Sequence, residues 1–366
     1  MHTNRFHNLS TASGPFSSVY FDDSHETEDA AKRLELELRD IRTRLEEQGA
    51  SAKSLETVTT AFEQATPAVG RSGRAVVANE ETVLLDEPLL RPPDATEARH
   101  SDLPYLVPVI EHGATGRTYL LVFVDHEGAD LSVHHFGKST VVSETLSGSD
   151  YPVHKAAGAE TSGYGDPQPR AEEAMRRNVS EVAHRIDKLV AQYGPDPIFL
   201  VGETRTREEL FGALSEHART LTVELQVGAR AAGADTDAIR AAVAEEFAKR
   251  RVAEIDDIAQ RVRAELGRNS GLAAEGLDAV CDALRAGNVE TLVMGDIADR
   301  TVLVGDEPTW VAVEAGRLSE LGSSTTSTRR ADEALPFATL MLGGRLVRVD
   351  ERIAPTDGCA ALLRHA

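Results

Sequence analysis

The chain has 366 residues and a mass of 39.4 kDa, with 41% hydrophobic and 5% aromatic residues. This length predicts two or three domains, and the low aromatic content favours alanine- and leucine-packed α/β domains over an aromatic-rich sandwich. The formal net charge of -21 excludes broad, sequence-independent binding of nucleic acid, so any contact with nucleic acid must be local.

The first predicted strand spans residues 14–21, and a charged helix with one apolar face follows from about residue 26 to residue 47. The short loop 49–54 leads to a second helix, for which Ser54 is the predicted N-cap. The two helices should form a hairpin. Its loop contains Lys53 and the residue pairs Ala-Ser and Lys-Ser.

Short β-type runs follow the hairpin. They lie at residues 74–78, 82–85, 105–110, 119–124 and 130–136. A hairpin turn at 125–128 joins the last two, because Gly128 can supply the positive φ that such turns require. Together these elements predict a first domain over residues 1–137, with a mixed sheet and packed helices.

A loop rich in glycine and proline spans residues 147–169. Its composition cannot build a buried core, so its backbone must be solvated or held by a partner. Loops of this length are usually functional or disordered, and a plain linker is the alternative.

The middle domain is predicted over residues 138–268, because strand and helix patterns alternate there. The predicted elements are a helix at 170–193, a strand at 198–202, a helix at 206–214, a strand at 220–227 and a helix at 235–266. A turn-rich hinge precedes a third domain at 269–366, which opens with a helix at 277–286 and a strand at 289–294. Further strands are predicted at 302–305, 311–313 and 345–349.

Targeting and metal signals are absent from the sequence. The longest apolar run, residues 119–124, is strand-sized, and the amino terminus has no apolar signal core, so we expect a cytoplasmic protein without membrane contact. Cys281 and Cys359 form neither a disulfide framework nor a metal-ligand pattern, and both are predicted to be buried. His134 and His135 should point to opposite faces of a strand, which disfavours shared metal ligation. We expect no metal and no cofactor.

The order of these parts resembles the eukaryotic and archaeal peptide release factors and Pelota. The resemblance is carried by the helical hairpin, by the Gly-rich loop before a basic helix, and by residues 276–293. In that last stretch a helix of the type leucine-x-x-alanine-leucine ends in glycine before a strand that begins with valine-glutamate, and Val280 takes the place of the first leucine. The resemblance covers nearly the whole chain and implies three domains, each a sheet with packed helices, arranged as in those factors.

Among bacterial proteins, the arrangement is most similar to the release-factor-like ribosome hibernation factors of the Balon family. Members of that family occupy the ribosomal A site in stressed or dormant cells, sometimes together with elongation factor Tu. The resemblance therefore implies a translation inhibitor that binds the 70S ribosome at the small-subunit decoding centre and at large-subunit rRNA near the peptidyl-transferase centre. Elongation factor Tu is a candidate second partner.

The sequence departs from true release factors in the middle-domain loop. Their loop carries Gly-Gly-Gln, whose glutamine positions the water that hydrolyses peptidyl-tRNA. Here the matching region is 154–160, and Gly-Gly-Gln occurs nowhere in the chain. The loop 49–54 is also shorter than the stop-codon-reading loop. We therefore expect no catalytic residue, no enzymatic activity and no codon reading.

Candidate rRNA-binding residues lie in the loop, in the following helix and at the hairpin tip. Lysine and arginine bind phosphates, glycines let a backbone approach, and aromatic rings stack on unpaired bases. The predicted contacts are His154, Lys155, Gly158, Gly163, Tyr164, Arg176, Arg177 and Lys53. Arg176, Arg177 and Arg185 could together clamp phosphates if the helix turns them to one side, and a solvated helix face is the alternative.

Two other functions stay open. A release-factor-like hydrolase or nuclease acting on tRNA at stalled ribosomes would use His154 as a general base beside Lys155, and it would need an oriented partner and an oxyanion site. A stress-induced scaffold that binds only protein would also suit the acidic composition. Ribosome co-sedimentation separates the scaffold from a ribosome-binding factor, and release of peptide separates the enzyme from both.

Overall fold

The computed structural model describes residues 6–24, 30–63, 72–89, 91–113, 118–125, 127–135, 140–147, 167–227, 236–323, 327–349 and 354–366. These residues form a mixed α/β protein with helices packed on several sheets, as the sequence predicts. The chain divides into two compact units. Met1–Gly116 and Arg251–Ala366 form one, called the terminal unit below, and Arg117–Arg250 form the other, called the middle unit.

The amino-terminal part of the terminal unit contains four antiparallel strands in the order β3-β2-β1-β4. Its elements are α1 (His7–Thr11), β1 (Phe16–Asp22), α2 (Ala30–Glu47), α3 (Ala52–Glu63), β2 (Gly73–Ala78), β3 (Val83–Leu89), β4 (Glu97–Ser101) and α4 (Val107–His112). Alternate strand residues bury opposite faces. Val19 and Val76 pack against α2 and α3, whereas Tyr20 and Val77 enter a second, larger core.

The carboxyl-terminal part contributes two small sheets. Its elements are β10 (Ala273–Glu275), α9 (Leu277–Arg285), β11 (Val289–Met294), β12 (Thr301–Val304), β13 (Val311–Ala312), α10 (Ala315–Glu320), β14 (Ser327–Arg330), α11 (Ala331–Met341), β15 (Arg345–Arg348) and β16 (Cys359–Leu363). The strand orders are β10-β16-β11-β15 and β13-β12-β14. Residues from both ends of the chain share the larger core, where the rings of Phe16 and Phe337 lie 6.1 Å apart.

A partly buried ionic cluster joins β4 to the first turn of α11. The Arg99 guanidinium lies 3.0 Å from the Asp332 carboxylate, 3.5 Å from Glu333 and 3.4 Å from the centre of the Tyr105 ring. Glu97 lies 3.7 Å from the same guanidinium. Asp332 and Glu333 lie at the amino-terminal end of a helix, where the helix dipole favours negative charge.

The middle unit is a five-stranded mixed sheet in the order β7-β6-β5-β8-β9 with helices on both faces. Its elements are β5 (Thr118–Val124), β6 (Gly128–His135), β7 (Thr140–Ser147), α5 (Pro167–Tyr193), β8 (Ile198–Gly202), α6 (Thr204–Ala213), α7 (Glu216–Leu221) and β9 (Thr222–Glu224). Strands β5, β8 and β9 run parallel, and β5, β6 and β7 form antiparallel pairs. The helix α8 (Thr236–Arg268) supplies core residues to both units.

Three local predictions are wrong. The predicted strand at 105–110 is largely the helix α4, because a short buried apolar run does not separate strand from helix, and Pro108 suits the first turn of a helix. The strand predicted at 220–227 exists, but its bounds are wrong: α7 continues to Leu221, and β9 covers only Thr222–Glu224. Ser51, not Ser54, caps α3. Ser51 directly precedes the helix, and its hydroxyl accepts a hydrogen bond of 3.2 Å from the amide of Ser54, which lies inside the helix.

The strands at residues 118–135 belong to the middle unit. The sequence places them in the first domain, 1–137, but β5 forms its parallel pair with β8, some eighty residues later in the chain. Only pairing in three dimensions shows this, because each strand has the same apolar pattern in either domain. The division into three domains over 1–137, 138–268 and 269–366 stays a prediction.

Candidate functional site

The predicted contacts in the middle-domain loop lie outside the described residues. These are His154, Lys155, Gly158, Gly163 and Tyr164. The structure describes the two elements on either side of them, β7 and α5. Arg176 and Arg177 on α5 and Lys53 on α3 are described, and their surroundings define the candidate site.

Helix α5 has one buried face and one exposed face. Val179, Val182 and Ile186 pack against the sheet, as the apolar spacing in the sequence predicts. Arg176 and Arg177 are both exposed at the amino-terminal half of the helix. Arg177 lies 3.9 Å from Glu173, and such an exposed pair contributes little and is easily exchanged for another anion.

Arg185 does not belong to this pair of arginines. Its guanidinium forms a bidentate ion pair with Glu144 on β7, in which Nε donates to Oε2 at 2.7 Å. This hydrogen bond lowers the pKa of Glu144, so the carboxylate is ionised at neutral pH. Arg176 and Arg185 are nine positions apart and lie about half a turn apart around the helix axis. The predicted three-arginine clamp is therefore wrong, and Arg185 instead ties α5 to β7.

Arg176 lines a cleft between α5 and α6, called the α5–α6 cleft below. Its volume is about 480 Å³. Helix α5 lines it with Met175, Arg176 and Val179, and α6 lines it with Arg205, Glu209, Gly212 and Ala213. Arg205, Glu209 and Gly212 are spaced at four and three positions, so they share one helix face. Sequence reasoning missed Arg205, because nothing in the sequence pairs α6 with α5.

Arg205 is held by a neighbouring carboxylate. Its Nε donates to Glu209 Oε1 at 3.0 Å, and the two side chains are 76% and 36% exposed. The pair is therefore solvated rather than buried. Arg176 forms no ion pair with the residues that the structure describes. The cleft thus carries two guanidinium groups and one carboxylate, a net positive charge in an acidic chain.

Lys53 is exposed in the first turn of α3 and lines a second cleft of about 450 Å³. Glu80 and Glu81 line the same cleft, so its charge is not positive overall. The Ser51 hydroxyl donates to Glu80 Oε1 at 2.6 Å, and Ser54 is buried. The serines of the hairpin loop therefore have structural partners, and Lys53 is the loop's exposed cation.

Ser17 and His100 form a serine–histidine pair in the terminal unit. Ser17 Oγ lies 3.0 Å from His100 Nδ1, and burial lowers the pKa of His100. Ser17 is completely buried, so a substrate has no access to its hydroxyl. This pair fits a structural hydrogen bond between β1 and β4 better than a nucleophile and its base.

The two cysteines and the adjacent histidines, His134 and His135, also have structural rather than catalytic surroundings. Cys281 and Cys359 are buried as predicted, and burial raises the pKa of each thiol to about 12, so both stay protonated at neutral pH. His134 stacks on Tyr119 with ring centres 4.9 Å apart, while His135 Nδ1 lies 2.9 Å from Thr118 Oγ1. Among the described residues, no three histidine, cysteine or carboxylate side chains are placed to hold a metal ion.

Comparison with known proteins gives matches to the sequence and to its fold. Residues 118–268 match the model of bacterial archaeo-eukaryotic release factor family 2. Two uncharacterized proteins of Mycobacterium tuberculosis are each 44% identical over 366 residues, which is 100% of this chain and 97% of theirs.

None of the helices that the structure describes combines the length and the apolar composition of a transmembrane segment.

Solved structures give weaker matches. Ribosome-bound archaeal Pelota, in a model with ABCE1, is 16% identical, covers 99% of this chain and 94% of its own, and has a TM-score of 0.43. Pelota of Archaeoglobus fulgidus is 12% identical over 98% of this chain and 91% of its own, with a TM-score of 0.38. Archaeal aRF1 is 12% identical over 100% and 98%, with a TM-score of 0.28. The sequence matches, rather than these structural ones, indicate which proteins are related to this chain.

Proposed function

The chain belongs to bacterial archaeo-eukaryotic release factor family 2, and from this premise we propose that it is a ribosome hibernation factor. In this role it occupies the A site of idle 70S ribosomes and blocks translation without hydrolysing peptidyl-tRNA. The protein carries out no chemistry of its own and requires no cofactor and no metal.

One observation carries this proposal. A release-factor-like chain lacks Gly-Gly-Gln throughout its sequence, although that tripeptide supplies the catalytic glutamine of true release factors. A release-factor-like chain without the catalytic tripeptide of true release factors suits occupancy of the site better than cleavage of the ester. Ribosome binding then prevents the entry of tRNA and of true release factors.

The candidate contacts are assigned to two regions of the A site. The loop 147–169, with Lys155 and Tyr164, reaches toward large-subunit rRNA near the peptidyl-transferase centre, and Arg176 and Arg177 bind phosphates behind it. Lys53, the exposed cation of the hairpin loop, contacts the small-subunit decoding centre. Elongation factor Tu is a candidate partner in delivery, and stress or dormancy is the condition in which idle ribosomes accumulate.

Co-sedimentation with 70S ribosomes tests the proposal. The unaltered protein should pellet with vacant ribosomes, and prior filling of the A site with tRNA should prevent this. Binding should also weaken as salt concentration rises, since phosphate contacts release counterions. A protein that stays in the supernatant, or that binds equally well to ribosomes with a filled A site, would contradict A-site occupancy.

The enzyme alternative needs a separate assay. Ribosomes that carry labelled peptidyl-tRNA are incubated with this protein or with a true release factor as the positive control. We expect no released peptide and intact tRNA with this protein. Released peptide or shortened tRNA would favour the hydrolase or nuclease that acts on tRNA at stalled ribosomes.

A further inference from the structure

The α5–α6 cleft contains an exposed glycine that the protein's own packing does not require. Gly212 lies one position before the end of α6, and a Cβ added there would meet no atom within 4 Å. Its φ is not in the left-handed region, so it does not terminate the helix as a glycine cap would. The missing side chain leaves the floor of the cleft open to an approaching molecule.

The charges at the cleft select an anionic occupant. Arg176 on α5 and Arg205 on α6 both line the cleft together with Gly212, and each planar guanidinium can bind a phosphate through two parallel hydrogen bonds. Arg205 is paired with Glu209 in the solvated interaction described above, which a phosphate oxygen can replace. Met175, which is partly exposed, adds a small apolar surface on which a ribose can rest.

We propose that the α5–α6 cleft is an RNA-backbone subsite, in which Arg176 and Arg205 bind phosphates of one strand above Gly212. This inference rests on the proposed ribosome binding and extends it to Arg205, Glu209 and Gly212. Arg176 and Arg205 lie on helices of one compact unit, so their spacing is set by the packing of α5 on α6. The subsite does not depend on the conformation of the loop 147–169.

Gly212→Gln is the central test variant, because glutamine is a good helix former and its side chain would fill the open floor. Gly267→Gln is the matched control. Gly267 is also exposed, also lies one position before the end of its helix, and also has no atom within 4 Å of an added Cβ, but it lies on α8 in the terminal unit. Both variants should melt at or above the temperature of the unaltered protein.

Ribosome affinity should separate the two variants. We expect Gly212→Gln to weaken binding at least tenfold and Gly267→Gln to leave it unchanged. Arg176→Gln with Arg205→Gln should lower the slope of log affinity against log salt by about 1.4, the value for two phosphate contacts on a single strand. Glu209→Gln should strengthen binding about two- to fivefold, since it removes a competing surface charge.

Hydroxyl-radical footprinting of rRNA identifies the occupant. The unaltered protein and Gly267→Gln should protect the same riboses, and Gly212→Gln should lose a short contiguous group of them. An unchanged footprint together with weakened binding would mean that a ribosomal protein fills the cleft, and this would overturn the RNA assignment. Equal affinity of Gly212→Gln and the unaltered protein would overturn the subsite while leaving ribosome occupancy intact. Failure of the unaltered protein to bind ribosomes would overturn both.

Discussion

Arg176 and Arg177 are adjacent on α5, yet their neighbours differ. Arg176 faces the α5–α6 cleft, whereas Arg177 lies beside Glu173 on the solvated face of the helix. Helical geometry separates consecutive side chains by about 100° around the axis. Two basic residues in a row therefore do not make one basic patch, and each must be tested separately.

The loop and the cleft can be tested together by reversing charge. Lys155→Glu with Arg176→Glu should lower ribosome occupancy, because two phosphate contacts become repulsions. Equilibrium co-sedimentation over a range of protein concentrations measures the change. The control is Arg219→Glu with Lys249→Glu, two exposed cations elsewhere in the middle unit with the same change in net charge. Equal loss in both double variants would indicate a nonspecific charge effect.

Glu97 and Glu333 in the cluster around Arg99 predict a pH dependence of stability. Burial raises the pKa of both carboxyl groups above the ordinary value of 4.5. Between the unfolded and folded pKa values the folded chain binds more protons, so the free energy of unfolding of the terminal unit rises as pH falls through that interval. This contribution is lost as pH rises above the folded pKa.

Glu333→Gln should reduce that dependence, since glutamine cannot titrate. Thermal unfolding between about pH 8 and pH 5 measures it, and the melting temperature of the variant should change less than that of the unaltered protein. Glu208→Gln, on the exposed side of α6, is the control and should follow the unaltered protein. Identical pH profiles for Glu333→Gln and the unaltered protein would contradict the role of this carboxyl.

At the scale of elements, the sequence predicts long periodic segments well. The apolar spacing predicts α2, α5 and α8 to within a few residues, because each helix has apolar residues at regular helical spacing that pack into a core. Helix α11 was missed, since ten of its eleven residues are buried and its pattern is nearly uniform, with Pro336 inside it. Uniform burial removes the periodic signal on which sequence reasoning depends.

The candidate site was predicted less completely than the helices. Arg176 and Lys53 are exposed as RNA contact requires, and that contact stays a prediction. The Arg185–Glu144 pair and the position of Arg205 beside α5 depend on tertiary packing. The number of residues between α5 and α6 does not determine which of their side chains face each other.

Gly128 is the first residue of β6, and a substitution there tests how closely β7 packs against β6 in the middle unit. Its φ is +159°, and an added Cβ would lie 1.9 Å from the carbonyl oxygen of Leu146 on β7. The close approach of β7, more than the turn itself, therefore requires glycine. Gly128→Ala should destabilise the middle unit by about 1–3 kcal/mol, as overpacking of a well-packed site does.

Urea unfolding measures this loss, and Gly212→Ala is the control in the same unit. Its added Cβ meets no atom, so alanine should leave stability unchanged or raise it by about 0.5–1 kcal/mol through its higher helix propensity. Equal stability of Gly128→Ala and the unaltered protein would show that β7 can move away from β6 without cost.

At the scale of the whole molecule, the middle unit has the properties of an independent domain. It contains a complete five-stranded sheet with cores on both faces, formed from residues between Arg117 and Arg250. Expressed alone, residues 117–250 should fold and unfold in one cooperative transition, which circular dichroism and calorimetry can measure. A fragment that stays disordered would show that the shared helix α8 needs its second half.

Folding of the terminal unit depends on two segments that lie far apart in the sequence. Its larger core combines Phe16 and Tyr20 with residues of α9 and α11, and β16 pairs on both sides within the sheet β10-β16-β11-β15. During synthesis Phe16 and Tyr20 therefore lack these core partners, and the sheet stays incomplete until the residues of β16 have left the ribosomal exit tunnel. A nascent chain cut short before Cys359 would lose an interior strand and expose aggregation-prone surface. This unit can therefore be completed only after both of its segments, residues 1–116 and 251–366, have been synthesised.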